Sequence, residues 1–285
     1  MNKFKAILRK DWIINKKALL MPFWITLGFY VFVILSSLIA LIRGDFQMNL
    51  EIFRSFDISE FSPTFIYFIN YSVSFFPELM GYFFVIIISQ NALNEDIRRN
   101  YELFHRSQPV SIWLRSFSKF FIGIGGVWPI LATIIAFNLI IVNVLLAIYG
   151  RCDVGLALIA AIQSFVKFMI VSLLLGSMAF FSSSIFKDRA VLKSLAVLSA
   201  LHLLFLIVNV WFGWKLVPPI QYLAKLLRFD SMEPFHIQDV GFDVYNYIKM
   251  KWYQILLNWK ILLQIGVSAL LFVSGTLIYK HKEVK

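Results

Sequence analysis

The chain has 285 residues, of which 60% are hydrophobic, 17% aromatic and only 15% charged. A soluble domain is nearer half apolar and a quarter charged, so this composition excludes one and points to an integral membrane protein, a single transmembrane domain over 1–285. The net charge of +11 invites a nucleic-acid partner, but lysine and arginine gathered on one side of a membrane account for it, and no nucleic acid is expected.

Residues 3–17 have the pattern of an amphipathic helix. Phe4, Ile7, Leu8 and Trp12 fall on one side, while Lys5, Arg9, Lys10, Lys16 and Lys17 fall mostly on the other. That is the pattern of an interfacial helix with its basic face toward lipid headgroups. The apolar run behind it is longer than a signal-peptide core and has no clear small-residue cleavage site, so it reads as an uncleaved first span. A span needs about 20 apolar residues. Six runs qualify: 19–42, 74–93, 120–146, 158–186, 194–214 and 261–279. The fold class is therefore all-α, with six transmembrane helices inserted in a lipid bilayer.

The connecting segments differ in character. Segment 43–73 carries Asp45, Glu51, Asp57 and Glu60, then a run of aromatic residues from Phe65 to Tyr71. Segment 215–260 is too long for a simple turn. After Pro218 and Pro219 it has an amphipathic piece with Ile220, Leu223 and Leu227, then a Tyr- and Trp-rich piece from 245 to 259. Short outer helices between spans five and six are expected there. No internal repeat is visible.

Lysine and arginine set the orientation. Six lie in the N-terminal segment, five in 94–119, three in the 187–193 loop and three in the C-terminal tail, seventeen on one side against eight on the other. Both termini and the 94–119 loop are then cytoplasmic, in a multi-pass protein of the cell membrane.

Ionisable groups at depth are costly and usually have a reason. Glu78 sits about 22 Å along the helix axis from the inner end of span two, and Lys167 about 28 Å from the inner end of span four, at 1.5 Å per residue. Both fall in the outer half of the bilayer with opposite charges. They pair, line an external cavity, or snorkel separately to the outer headgroups. His202 and Asn209 in span five read as helix-to-helix hydrogen-bonding groups. Gly123, Gly125, Gly126 and Pro129 predict a kink in span three, and the small residues of span four, Gly176 among them, predict close helix packing.

The largest cytoplasmic loop reads as two short amphipathic helices around a break at Ser107, Gln108 and Pro109. In the first, Ile97, Tyr101 and Phe104 share a face; in the second, Val110, Trp113, Leu114 and Phe117 do. Such a hairpin tied to two spans passes force from a soluble partner into the bilayer; an ordinary cytoplasmic loop is the alternative. Its residues Arg98, Glu102, Leu103, Pro109, Val110, Ser111 and Lys119 follow the order of the cytoplasmic loop of type-2 ABC transporter permeases, which this segment resembles. It departs from that pattern at Asn100 and Tyr101, where the family carries a Gly-Thr pair, and only one leucine follows the glutamate.

The resemblance implies the membrane-spanning permease subunit of an ATP-binding-cassette transporter, an exporter, working as a dimer with an identical or different second permease subunit on a pair of ABC ATPase subunits. The sequence has no G-x-x-x-x-G-K-[ST] P-loop, so the resemblance places ATP hydrolysis on a separate ATPase chain. The coupling loop would then dock through Glu95, Arg98, Glu102, Pro109, Val110 and Ser111, flanked by the N-terminal helix. No enzyme signature and no cofactor site are found. His105, His202, His236 and His281 are too scattered for a metal site, and the single Cys152 excludes an intrachain disulfide. A non-transporting anchor, immunity factor or assembly scaffold is the competing class.

The orientation is checked by cysteine-accessibility scanning in intact cells on a Cys152-free background. A cysteine at position 105 is expected to stay unlabelled by an impermeant thiol reagent; its labelling contradicts the orientation.

Overall fold

In a computed structural model, which describes residues 3–43, 63–94, 110–148, 152–227, 244–256 and 258–283, the chain is all-helical, with no strand among the described residues. Six helical segments are long and apolar enough to cross a membrane. The reason is general: hydrocarbon offers no hydrogen-bond partner, so an apolar chain of this length must satisfy its backbone internally. Among the described residues eight helices build the six segments and two shorter ones lie outside them.

Helix α1 runs unbroken over Lys3–Ile42, forty residues. At 1.5 Å per residue it is about 60 Å long, twice the hydrocarbon thickness of about 30 Å. Segment 3–17, expected as a helix ahead of the span, is helical and continuous with it, a difference at the boundary alone. Packing explains the difference. Leu8, Trp12 and Leu19 join the main core cluster, and the Phe4 ring lies 6.0 Å from that of Phe117. Part of the apolar side of 3–17 thus rests on protein.

The second segment is made of α2 (Pro63–Val73) and α3 (Phe75–Asn91), separated by a turn at Ser74. It takes in most of the aromatic run that the sequence placed ahead of the span. Tyr67 is wholly buried, so this run is core. Pro77 lacks an N–H and leaves the Val73 carbonyl without its helical donor. Asn138 Nδ2 donates to that carbonyl at 3.4 Å, and Asn138 Oδ1 accepts from the Tyr30 hydroxyl at 2.6 Å. A neighbouring helix thus repairs the proline defect.

The third segment comprises α4 (Ile112–Gly125) and α5 (Val127–Ile148) with a turn at Gly126, where Gly126 and Pro129 predict the kink. Helix α6 (Val154–Ile185) is the mast of the bundle: it packs most extensively on α10 (Trp259–Glu283) and α3, and also meets α2, α5 and α7 (Ala190–Phe212). Its buried stripe is built from small residues. A Cβ at Gly176 would collide with Ile124 and come within 3.0 Å of Val85, so only glycine lets α3 and α4 approach there.

Helix α7 buries only Ala190 of its length. Its outward apolar face includes Leu203, Val210 and Trp211. Asn209 does not bridge helices as expected: it donates to the Leu216 carbonyl at 2.7 Å and accepts from the Leu216 N–H at 3.0 Å, closing the chain just beyond its own helix. His202 Nδ1 is buried without a partner among the described residues. Two short helices follow, α8 (Pro219–Leu227) and α9 (Val244–Leu256). Gln264 of α10 donates to the Leu226 carbonyl of α8, and α9 buries Ile248 against Tyr67, Leu156 and Ala160.

Replacing Gly176 by valine is expected to destabilise the detergent-solubilised chain by about 1–3 kcal/mol through overpacking. Gly266→Ala, where an added Cβ meets nothing within 4 Å, leaves the thermal midpoint near wild type. Equal midpoints for both variants contradict the close approach at α6.

Candidate functional site

The charged residues at depth come together between α3 and α6. Lys167 Nζ lies 3.8 Å from Glu78 Oε2. Ser164 Oγ, one turn before Lys167, donates to the other carboxylate oxygen, Glu78 Oε1. The Lys167 ammonium also sits over the Tyr71 ring, 5.4 Å from its centroid, a distance at which a cation is attracted to the ring face. Tyr82 stacks on Phe168 at 4.8 Å, and its hydroxyl is buried with no partner among the described residues.

Burial is unequal across the pair. The Glu78 side chain is 4% exposed and that of Lys167 is 21% exposed. A carboxylate taken out of water loses several kcal/mol of solvation and must recover it from partners. At 3.8 Å the ammonium supplies Coulombic attraction rather than a short hydrogen bond. The Ser164 hydroxyl supplies the hydrogen bond. The cluster is thus a carboxylate on α3 held by two groups of α6, with the cation end open to its surroundings.

A second polar tier sits toward the start of α6. The Tyr67 hydroxyl donates to Gln163 Oε1 at 2.5 Å, and Gln163 Nε2 donates to the Ile248 carbonyl at 3.2 Å. One wholly buried glutamine thereby clamps α2 and α9 onto α6. Alongside it, Asn143 Nδ2 donates to Asn70 Oδ1 at 3.1 Å.

The opposite end of the bundle carries a different set. Of the residues proposed to dock a partner, Glu95, Arg98, Glu102 and Pro109 lie outside the described residues, as does the first arm of the hairpin, while its second arm is the start of α4. Val110 and Ser111 are described. Ser111 is the N-cap of α4, its side chain accepting from the Leu114 N–H at 3.3 Å, as serine at this position commonly does. The stems on either side of the loop are fixed. Lys119 Nζ donates to the Ala92 carbonyl at 2.7 Å, tying the middle of α4 to the end of α3. Asn94 Nδ2 donates to the Phe186 carbonyl at 2.7 Å, tying the end of α3 to the end of α6. Asp11 of α1 is 4% exposed and accepts from Ser118 Oγ at 2.6 Å.

Sequence reasoning missed Tyr71, Ser164, Gln163 and Asp11. A signal existed for the first three. Tyr67, Tyr71, Ser74 and Glu78 recur at helical spacing, and Gln163, Ser164 and Lys167 fall within one turn of α6. Asp11 lies among lysines and arginines, where a carboxylate ordinarily reads as part of a solvated face. Among the described residues no group of three or more His, Cys, Asp or Glu could hold a metal.

The cluster is tested by a double-mutant cycle. Lys167→Met is expected to cost about 3–5 kcal/mol because it strands the buried Glu78 carboxylate, Glu78→Gln is expected to cost less because Lys167 stays partly exposed, and the double variant is expected to cost less than the sum. Thermal unfolding of the purified proteins measures all four corners. Additive losses contradict an energetic link between the two residues.

No protein-family model, curated protein or solved structure matches the chain.

Proposed function

We propose that the chain is the membrane-spanning permease subunit of an ATP-binding-cassette exporter, driven by ATP hydrolysed on a separate ATPase chain and paired with a second permease subunit. Two features of the sequence support this: the ordered residues Arg98, Glu102, Leu103, Pro109, Val110, Ser111 and Lys119, and the lack of a P-loop.

The observation that carries the proposal is the bracing of the loop stems. Lys119 binds the Ala92 carbonyl, and Asn94 binds the Phe186 carbonyl. A push on the loop therefore enters α3, α4 and α6 together. Farther along, α3 and α6 are joined again by Glu78, Ser164 and Lys167. Force applied at one end has a stiff path to a charge cluster near the other, which is what a permease needs and a passive anchor does not.

Reversing Glu102 to lysine, or replacing Pro109, Val110 and Ser111 by glycine, is expected to weaken docking by about 2–5 kcal/mol if the contact is buried in the complex. ATP hydrolysis by the reconstituted complex should lose its coupling to transport while the gel-filtration profile of the permease stays that of wild type. Unchanged coupling in both variants would move the chain to the anchor or scaffold class.

A further inference from the structure

The turn between α6 and α7 gathers positive charge in a way the fold itself disfavours. Lys187, Arg189 and Lys193 are all exposed and form no ion pair among the described residues, and the exposed Asp188 between the first two offsets only one of the three charges. Arg189 and Lys193 stand four residues apart at the start of α7, a spacing at which like charges repel. They also occupy the positive end of the helix dipole, where cations are unfavourable, and the first turn of α7 holds no acidic residue. A fourth cation arrives from the far end of the chain: Lys282 of α10 places its Nζ 2.7 Å from the Ser184 carbonyl and 2.5 Å from that of Ile185. Its ammonium lies within electrostatic reach of Lys187.

Immediately beside these charges the surface is apolar. Ile185, Leu192 and Leu195 are exposed, the last two by 64% and 52%. Cations at the rim of an exposed apolar helix match a phospholipid better than a soluble partner: phosphate at the charges, acyl chain along the helix. Basic pockets between transmembrane helices bind anionic headgroups in this way. We propose that Lys187, Arg189, Lys193 and Lys282 form a binding site for the headgroup of an anionic phospholipid, whose acyl chain lies along Ile185, Leu192 and Leu195.

The test uses the full chain in mild detergent, titrated with phosphatidylglycerol or phosphatidylcholine while the thermal midpoint is followed. Phosphatidylglycerol is expected to raise the midpoint and phosphatidylcholine to leave it unchanged. Lys187→Gln/Arg189→Gln/Lys193→Gln should need roughly 100-fold more phosphatidylglycerol for the same rise, and each single variant about fivefold more. The single variants keep the test decisive if the triple variant does not fold. Lys187→Arg/Lys193→Arg, which keeps the charge, should respond as wild type. A response retained in the three neutralised positions overturns the proposal. So does a midpoint shift reproduced by inorganic phosphate alone, which would assign the site to a free anion. An unchanged lipid response combined with loss of a soluble partner from the neutralised chain would assign the patch to a protein and overturn it as well.

Discussion

Polar groups inside this bundle have only protein to bond to, on their own helix or on a neighbour, because hydrocarbon supplies no partner. That constraint decides where helices touch. The carboxylate of Glu78 is the most demanding case, since a buried charge without partners costs far more than an orphaned hydroxyl. It fixes α3 against α6 through Ser164 and Lys167. Lesser demands set the remaining contacts. The carbonyl freed by Pro77 recruits Asn138, which recruits Tyr30, and Gln163 gathers Tyr67 and the backbone of α9. Helix α6 is central because it carries Gln163, Ser164 and Lys167 alongside the small residues that permit close approach.

The same contacts give the bundle a mechanical axis. The α3–α4 loop emerges between stems braced by Lys119 and Asn94. Helix α1, through Asp11 and Ser118, is fastened to the same region. By contrast, α7 is almost unburied along its length and contributes little to this rigid unit. Its apolar surface is exposed, and the cations at its start border that surface. In the proposed permease, motion imposed at the loop would be carried by α3, α4 and α6 while α7 stays the peripheral element.

The six crossings were legible in the sequence because length and apolarity are the physical requirement for crossing a bilayer. Their limits were less so. Charges near the ends of α1 and α4 mark where a helix leaves hydrocarbon, not where it stops, so Lys3–Ile42 and Ile112–Gly125 extend well beyond the apolar runs. Glu78 and Lys167 stood out because charge at depth is rare. Ser164 and Gln163 did not, because uncharged polar residues are common in such helices and only a neighbour reveals their role. Tyr67 and Tyr71 stood in an aromatic run assigned to the segment before span two; they belong to α2, and Tyr67 is buried in a core cluster with Leu156 and Ala160 of α6. Asn209 was expected to reach another helix, but the Leu216 backbone lay closer. Asp11 was hidden among the basic residues around it. The docking residues Glu95, Arg98, Glu102 and Pro109 are known only as a sequence pattern.

The central claim is that a separate ATPase drives this chain through that loop. Purification of the tagged full-length chain from its native membranes in mild detergent, with identification of what co-elutes, tests it most directly. The account predicts a stoichiometric partner that carries a P-loop and hydrolyses ATP, released when residues 95–111 are replaced by a flexible linker. Elution of the intact chain alone, or with a stoichiometric partner that binds no nucleotide, would contradict it.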